Sequence, residues 1–564
     1  MKKTVRTLLA LALVLGTISC EELTDEPDDN TGNLIENDIV TNTTWSTGKT
    51  YIISGTINVS GAILTIEPGT TIKFESGAQL SIGYSENSTL IANGTADKPI
   101  VFTSNAAIPS AGAWNGIYFW NNNMNSSMTY CKIEYAGRTS DGAVQLIGTS
   151  LIFSNNQISY AKDYGIELDQ GSWFTEMNHN QFSNCGKHPV RLYAAYLHTI
   201  GESNVFNSAD GFGVNVIADD VAGTVTWKKL DKPYYVEGNI NVNNATLTIE
   251  PGAVFKFNAD GKLSLGYSGS TTLVANGTET ENIVFTSSAP VPAAGAWQGI
   301  AFWWNTLASS SMSYCEVNFA GKSSTGALNA VDASFALNNC RIHNSSSIGI
   351  VMSGDSYFTS MSNNIVEHIA LHALQMDSER LGTIGLNNTF TCNTGYGISV
   401  TDGDVTATST WGKQTVPYYI NVGININANL TIEAGTVMLF GADGQIDIGY
   451  SSNAQLTAIG TLTEPIIFSS SAASPVAGAW YGIQLWWNNL PNTKFDYCEF
   501  NFAGKGSDLR RSAVHATGTS FIASNSKFQS SSGWGIYLDK NCSVTGTGNT
   551  FISCALGDIG QDPN

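Results

Sequence analysis

Leu64-Thr65-Ile66-Glu67-Pro68-Gly69-Thr70-Thr71-Ile72-Lys73-Phe74 decides the fold. Short apolar groups alternate with turn residues, and no helical stripe runs through it. Its centre returns as Thr248-Ile249-Glu250-Pro251-Gly252 and as Thr431-Ile432-Glu433-Ala434-Gly435, with the Glu 183 residues apart both times. Gly112-Ala113-Trp114-Asn115-Gly116-Ile117 recurs around Trp297 and Trp480 at the same spacing, and Tyr130-Cys131 recurs as Tyr314-Cys315 and Tyr497-Cys498. Each copy opens on a Trp: Trp45, Trp227 and Trp411. A fixed self-similar period is the mark of a repeat architecture. The chain therefore reads as three tandem modules, 45–226, 227–410 and 411–564, the third ending short of its last coil.

A shorter period lies inside each module. In the first, Gly-Ile or its equivalent starts at Gly116, Gly142, Gly165, Pro189 and Gly213, in steps of 26, 23, 24 and 24 residues. A second apolar ladder runs Ile133, Ile158, Phe182 and Phe206, in steps of 25, 24 and 24. Two ladders at one period predict at least two strands per coil, with each coil pairing to the next.

Two residues before the second ladder stand Cys131, Asn156, Asn180 and Asn204 in the first module. The second module has Cys315, Cys340, Asn364 and Asn388 there, and the third Cys498, Ser526 and Asn549. A stack of small residues at a turn is implied, whose side chains bond backbone groups that would otherwise be orphaned. Cys fits the end of such a stack as a compact thiol. Nine Cys in an exported chain suggest disulfides. Four of them fall on this inward ladder, however, and the reading preferred is free buried thiols. No Cys-x-x-Cys pair is present, which argues against zinc.

Leu64 to Phe74, Leu90-Ile91-Ala92-Asn93-Gly94-Thr95, Pro99-Ile100-Val101-Phe102-Thr103-Ser104 and Trp114-x-Gly116-Ile117 together resemble bacterial surface proteins with right-handed parallel β-helix repeats, of pectate-lyase-like architecture. The resemblance covers roughly residues 45 to 560. It implies an all-β, right-handed parallel β-helix. That architecture serves polysaccharide lyases, glycoside hydrolases, adhesins and passive display proteins, so it does not choose among them.

The N-terminus reads as an export leader. Lys2, Lys3 and Arg6 precede an apolar run, Leu8 to Leu15, that is too short to span a bilayer. Thr17-Ile18-Ser19-Cys20 resembles a bacterial lipobox, which implies a signal peptide at 1–19 and a lipidated Cys20. Glu21, Glu22, Asp25, Glu26, Asp28 and Asp29 follow within an acidic tether, 20–44, resembling the surface-export signal of Bacteroidota lipoproteins. Lipid at Cys20 is the expected membrane contact, on the outer membrane and facing outward. A net charge of −20 with only 13 % charged residues predicts repulsion of nucleic acid and anionic lipid.

Function then rests on outward side chains. Alternation from Gly116 points Ile117 and Phe119 inward, and Tyr118 and Trp120 outward. The position of Tyr118 varies, to Ala301 and Gln484, but that of Trp120 stays Trp, as Trp303 and Trp486. Two readings fit. A Trp face stacks on the C–H face of a pyranose, with Asn121, Asn122, Asn305, Asn488 and Asn489 as hydrogen-bonding neighbours. Alternatively, a loop or the next coil covers each ring. Trp304 and Trp487 have inward or turn parity, and Tyr130, Tyr314 and Tyr497 have outward parity beside Glu134, Glu316 and Glu499.

For catalysis the chain offers Glu167 and Asp169, with Arg191 one coil later. A stacked acid and Arg suits elimination from a uronic acid, but the matching positions elsewhere include Val351, Gln375 and Tyr537. Asp260-Gly261 and Asp443-Gly444 are turn signals first and Ca²⁺ contacts only second. No cofactor is expected. The preferred reading is a non-catalytic surface lipoprotein whose repeated face binds carbohydrate or another surface polymer. The alternatives are a polysaccharide lyase or glycosidase with one groove in the first module, and a purely structural spacer.

Overall fold

A computed structural model describes residues 33–563 apart from 140, 210, 325 and 394–396. The leader, Cys20 and the first part of the tether lie outside the described residues. Within them the chain is an all-β parallel solenoid of about 21 turns. At roughly 4.8 Å per turn, the stack is on the order of 100 Å long. Among the described residues no helix is long and apolar enough to cross a membrane.

Each turn is a three-sided coil of short strands. One representative coil runs Cys131–Glu134 on face one, Gly142–Leu146 on face two and Ser150–Ser154 on face three. It re-enters face one at Gln157–Ser159. Neighbouring coils pair in parallel, and inward residues stand directly above one another. Face one sets Ile133, Ile158, Phe182 and Phe206 in one column. Face two sets Ile117, Val144, Ile166, Val190 and Val214 in another. The step after Gly116 differs from the sequence reading: Val144, not Ala143, lies over Ile117. Gly116 sits so close to the next coil that a Cβ would lie 2.8 Å from the Ala143 carbonyl oxygen.

The inward columns carry the core. In the third module Phe468, Phe500, Phe528 and Phe551 stack face to face at 4.8–5.0 Å. Such ring pairs add about 0.5–1.5 kcal/mol each beyond their buried area. Trp114, Trp297 and Trp480 are fully buried and lie flat on Phe74, Phe257 and Phe440 at 3.7, 4.5 and 4.0 Å. Their Nε1 groups donate to the carbonyls of Glu134, Asn318 and Asn501.

The corner between faces three and one has a single construction wherever the Cys/Asn/Ser ladder runs. The residue before each Cys/Asn/Ser position has positive φ: Tyr130, Asn155, His179, Ser203, Tyr314, Asn339, Asn363, Asn387, Tyr497, Asn525 and Gly548. This left-handed residue turns the chain through the corner and aims the next side chain inward. Tyr130, Tyr314 and Tyr497 are thus corner residues, not members of an outer sheet face.

The inward residue then bonds across coils. Asn156 Oδ1 accepts from Cys131 N at 2.8 Å, Asn180 Oδ1 from Asn156 N at 2.9 Å, and Asn204 Oδ1 from Asn180 N at 3.0 Å. Their Nδ2 groups donate backwards to the carbonyls of Met128, Phe153 and Met177. Asn364 and Asn388 repeat this in the second module. Ser526 and Asn549 do so in the third. Cys131, Cys315 and Cys498 cap the three ladders, each thiol donating to a carbonyl of the preceding coil, Ala92, Ala275 or Ala458.

All eight described cysteines are free thiols. Burial pushes the thiols of Cys131, Cys315 and Cys498 far up, and that of Cys185 up to about 12. Thiolate is the reactive form. Iodoacetamide at pH 8 is therefore expected to leave these four unmodified in the folded chain and to modify them after denaturation. Mass spectrometry of the labelled peptides reads the result, and alkylation of Cys131 in the folded chain would contradict it.

The three modules form one continuous stack, with a change of face at each junction. Val214–Ile217, on face two of the first module, pairs with Tyr234–Glu237. That strand corresponds to Thr50–Ile53, which opens face one in the first module. Likewise Ile398–Thr401, on face two of the second module, pairs with Tyr418–Ile420 of the third. Face two of one module thus runs on as face one of the next, inside sheets of 14 and 18 strands. Equivalent features of successive modules therefore look out from adjacent sides of the coil and not along one line.

Candidate functional site

Trp120, Trp303 and Trp486 stand just past the ends of the face-two strands Gly116–Phe119, Gly299–Phe302 and Gly482–Leu485. Their backbone N–H groups still donate to the preceding coil, to Ile82, Leu265 and Ile448. All three side chains are half-buried. Each Nε1 is engaged: Trp120 donates to Ser81 Oγ at 2.9 Å, Trp303 to Ser264 Oγ at 2.9 Å and Trp486 to Asp447 Oδ1 at 2.7 Å. Each ring also meets a Tyr of the preceding coil edge-on, Tyr84, Tyr267 or Tyr450, at 5.0–5.4 Å. Of the two readings of these rings, the geometry agrees with cover by the adjacent coil and leaves no free N–H for a ligand. Their polar edge belongs to the protein, because a Ser or Asp on the coil below sits directly under the indole.

The open rings are their neighbours. Trp304 is 48 % exposed and Trp487 is 53 % exposed. The partner tyrosines Tyr267 and Tyr450 are 54 % and 51 % exposed. Tyr267 and Trp304 lie 5.1 Å apart, and Tyr450 and Trp487 lie 5.7 Å apart. The half-buried Trp303 and Trp486 sit against these pairs at 5.5 and 5.2 Å. Modules two and three thus each carry an aromatic triad with two open rings and one anchored ring. The first module has Tyr84 and Trp120 but Asn121 in the third place. Asn305 and Asn488 brace the triads through the carbonyls of Tyr267 and Tyr450, at 3.4 Å. Asn489 is buried and holds its own loop through Thr493 and Thr519. In the second module Lys262 Nζ lies 5.0 Å from the Trp303 ring centre, and burial holds its pKa below the ordinary lysine range.

The carboxylates of the first module meet on the outer side of face two. Glu167 and Arg191 are register partners on adjacent strands and form a direct ion pair. Arg191 Nε also donates to Asn215 Oδ1 at 3.1 Å. Burial raises the Glu167 carboxyl, and Arg191 works against that rise. Burial also raises Asp169, with Gln145 opposing. Raised carboxyls in a cleft can mark acid–base chemistry. Here Glu167 and Arg191 satisfy each other, as a structural cross-strand pair does. Outside the first module, Glu316 pairs with His343 Nε2 at 2.8 Å.

Asp260 pairs with Lys322 at 3.0 Å and Asp443 with Lys505 at 3.2 Å, so each carboxylate has a counter-charge within the protein. Among the described residues no group of three His, Cys, Asp or Glu side chains is placed to hold a metal ion.

Parallel coils and inward ladders define a parallel β-helix. Residues 37–143 and 219–377 match the family model described as a pectate-lyase like beta helix domain. The two matches begin at equivalent points of modules one and two. No curated protein and no solved structure matches the chain.

Proposed function

We propose that the protein is a non-catalytic display rod that binds carbohydrate through its aromatic triads and is held at the cell surface by lipid on Cys20. The observation that carries this reading is the recurrence of an open Trp–Tyr pair, Tyr267 with Trp304 and Tyr450 with Trp487, 183 residues apart. Exposed aromatics gathered into one patch mark a surface that meets a partner, where scattered single ones do not. Flat rings supported from behind suit the apolar face of a sugar. Two such sites on one rod gain avidity on a multivalent surface without any new contact. The anchor rests on the leader, the lipobox-like Cys20 and the acidic run after it.

The test is retention on a panel of immobilised neutral glycans. The Trp304→Ala/Trp487→Ala double variant is expected to lose about tenfold or more in affinity, as removal of aromatic anchors does. Both side chains are exposed, so thermal unfolding should be unchanged. The reading fails if the wild type binds none of the glycans or if the double variant binds them equally well.

A further inference from the structure

The third module departs from the other two at one place. Between Gly504 and Ala513 it has three more residues than the second module has between Gly321 and Ala327. The longer loop brings in Arg510 and Arg511 and puts Ser512 where the other modules have Gly142 and Gly326. Ser512 keeps their place in the coil: its carbonyl faces Gly482, as that of Gly142 faces Gly116 and that of Gly326 faces Gly299.

The loop borders a cleft of about 160 Å³ on the outer side of face two, lined by Gln484, Lys505, Arg510, Arg511, Ser512 and His515. Three cations in one cleft stand out in a chain of net charge −20. Ser512 is only 4 % exposed, and its hydroxyl is buried with no hydrogen-bond partner. Arg511 is held from behind by neutral groups alone: Nε donates to Ser532 O at 3.0 Å and one terminal nitrogen to Asp508 O at 2.9 Å. Among the described residues no carboxylate pairs with it. The other cations are steadied by acids. Arg510 lies 3.6 Å from Asp539 and 3.2 Å from Asp562, and Lys505 lies 3.2 Å from Asp443. His515 Nε2 meets Asp539 Oδ1 at 2.9 Å. The side chain of Asp508, also in the lining, accepts from Arg510 N and so holds the loop itself.

A guanidinium with no counter-charge beside a buried hydroxyl with no partner is a donor set awaiting an acceptor. We propose that this cleft binds a single oxyanion carried on a sugar, a carboxylate or a sulfate ester, with Arg511 as the direct donor and Ser512 as a second donor once entry of the anion uncovers its hydroxyl. Gln484 of the lining stands two residues before Trp486 on the same chain segment, so the anion site adjoins the third-module triad. The site does not depend on stacking by that triad. The negative charge of the whole chain disfavours a long polyanion lying along the rod and leaves the attraction local.

Methyl glucoside, methyl glucuronide and methyl glucoside 6-sulfate, titrated into the full chain at low salt, test this. At least one of the charged sugars is expected to bind tenfold or more tightly than the neutral one. The charged arm that gains identifies carboxylate, sulfate or both. Arg511→Gln is expected to abolish the difference. Ser512→Gly, which restores the residue of the other modules, is expected to reduce it about threefold, as loss of one hydrogen bond of ordinary net strength does. Rising ionic strength should weaken the charged arms only. Equal binding of all three sugars, or an undiminished difference in Arg511→Gln, overturns the proposal. Failure of the triads alone would appear as lost neutral-glycan retention with the charge difference intact.

Discussion

Trp297→Ala is expected to destabilise the second module by about 4 kcal/mol, the range found for deleting a buried Trp or Phe from a tight core. The ring is fully buried and lies flat on Phe257 at 4.5 Å and 8°. Its Nε1 donates to Asn318 O at 2.8 Å. Truncation therefore leaves a cavity the size of an indole, an unstacked Phe257 and a carbonyl short of its donor. Coils touch only their neighbours, so the damage should stay local. Hydrogen exchange should quicken about a thousandfold in the coils around Phe257, Gly299–Phe302 and Cys315–Asn318. The distant Lys527–Gln529 coil should exchange as in the wild type. Unaltered exchange near Phe257 would show that the ring does not support those coils.

Asn180→Ala is expected to cost about 3–4 kcal/mol, because it orphans buried backbone groups at roughly 1–3 kcal/mol each. Asn180 is fully buried. Its Oδ1 is the acceptor for Asn156 N at 2.9 Å, and its Nδ2 serves Phe153 O at 2.8 Å and Asn204 Oδ1 at 3.0 Å. Alanine can replace none of these. Serine replaces some: in the third module Ser526 Oγ accepts from Cys498 N at 3.1 Å. Asn180→Ser should accordingly fall between alanine and wild type. Exchange at the Asn156 amide and the thermal midpoint are the two readings. A wild-type midpoint for Asn180→Ala would mean that the ladder adds no stability.

The coil was legible because its two inward columns share one period, which turn-length differences blur by only a residue or two. The slip at Gly142 shows that limit: Ala143 and Val144 are both small and apolar, and spacing alone could not choose between them. The change of face at Val214–Ile217 was hidden for a different reason. Coil length varies enough that a 183-residue module is compatible with several phases, and only strand pairing chooses one. The corners were obscure because Tyr130, His179 and Ser203 take up a left-handed conformation more often supplied by Gly or Asn.

The aromatic site was half legible. Recurrence at 183 residues singled out Trp120, Trp303 and Trp486. Strand alternation was then carried one residue too far. The strands end at Phe119, Phe302 and Leu485, so parity says nothing about Trp304 and Trp487, the rings that open to solvent. The acceptors under the indoles lie 39 residues upstream, on a coil lengthened by loops, and the 24-residue step does not reach them. The third-module loop was legible as an insertion, since the matching loops of modules one and two are equal in length and it is three residues longer.

The change of face at the junctions amounts to a screw operation. Each module is carried onto the next by one module length of translation and a rotation of one side of a three-sided prism. Three steps bring the orientation back to its start. Excising the middle module would therefore swing everything beyond the cut by one side, even if every junction contact were rebuilt. A fourth copy added in the same way would stand in line with the first. The compass bearing of any displayed residue is set by counting modules modulo three, whatever that residue happens to be.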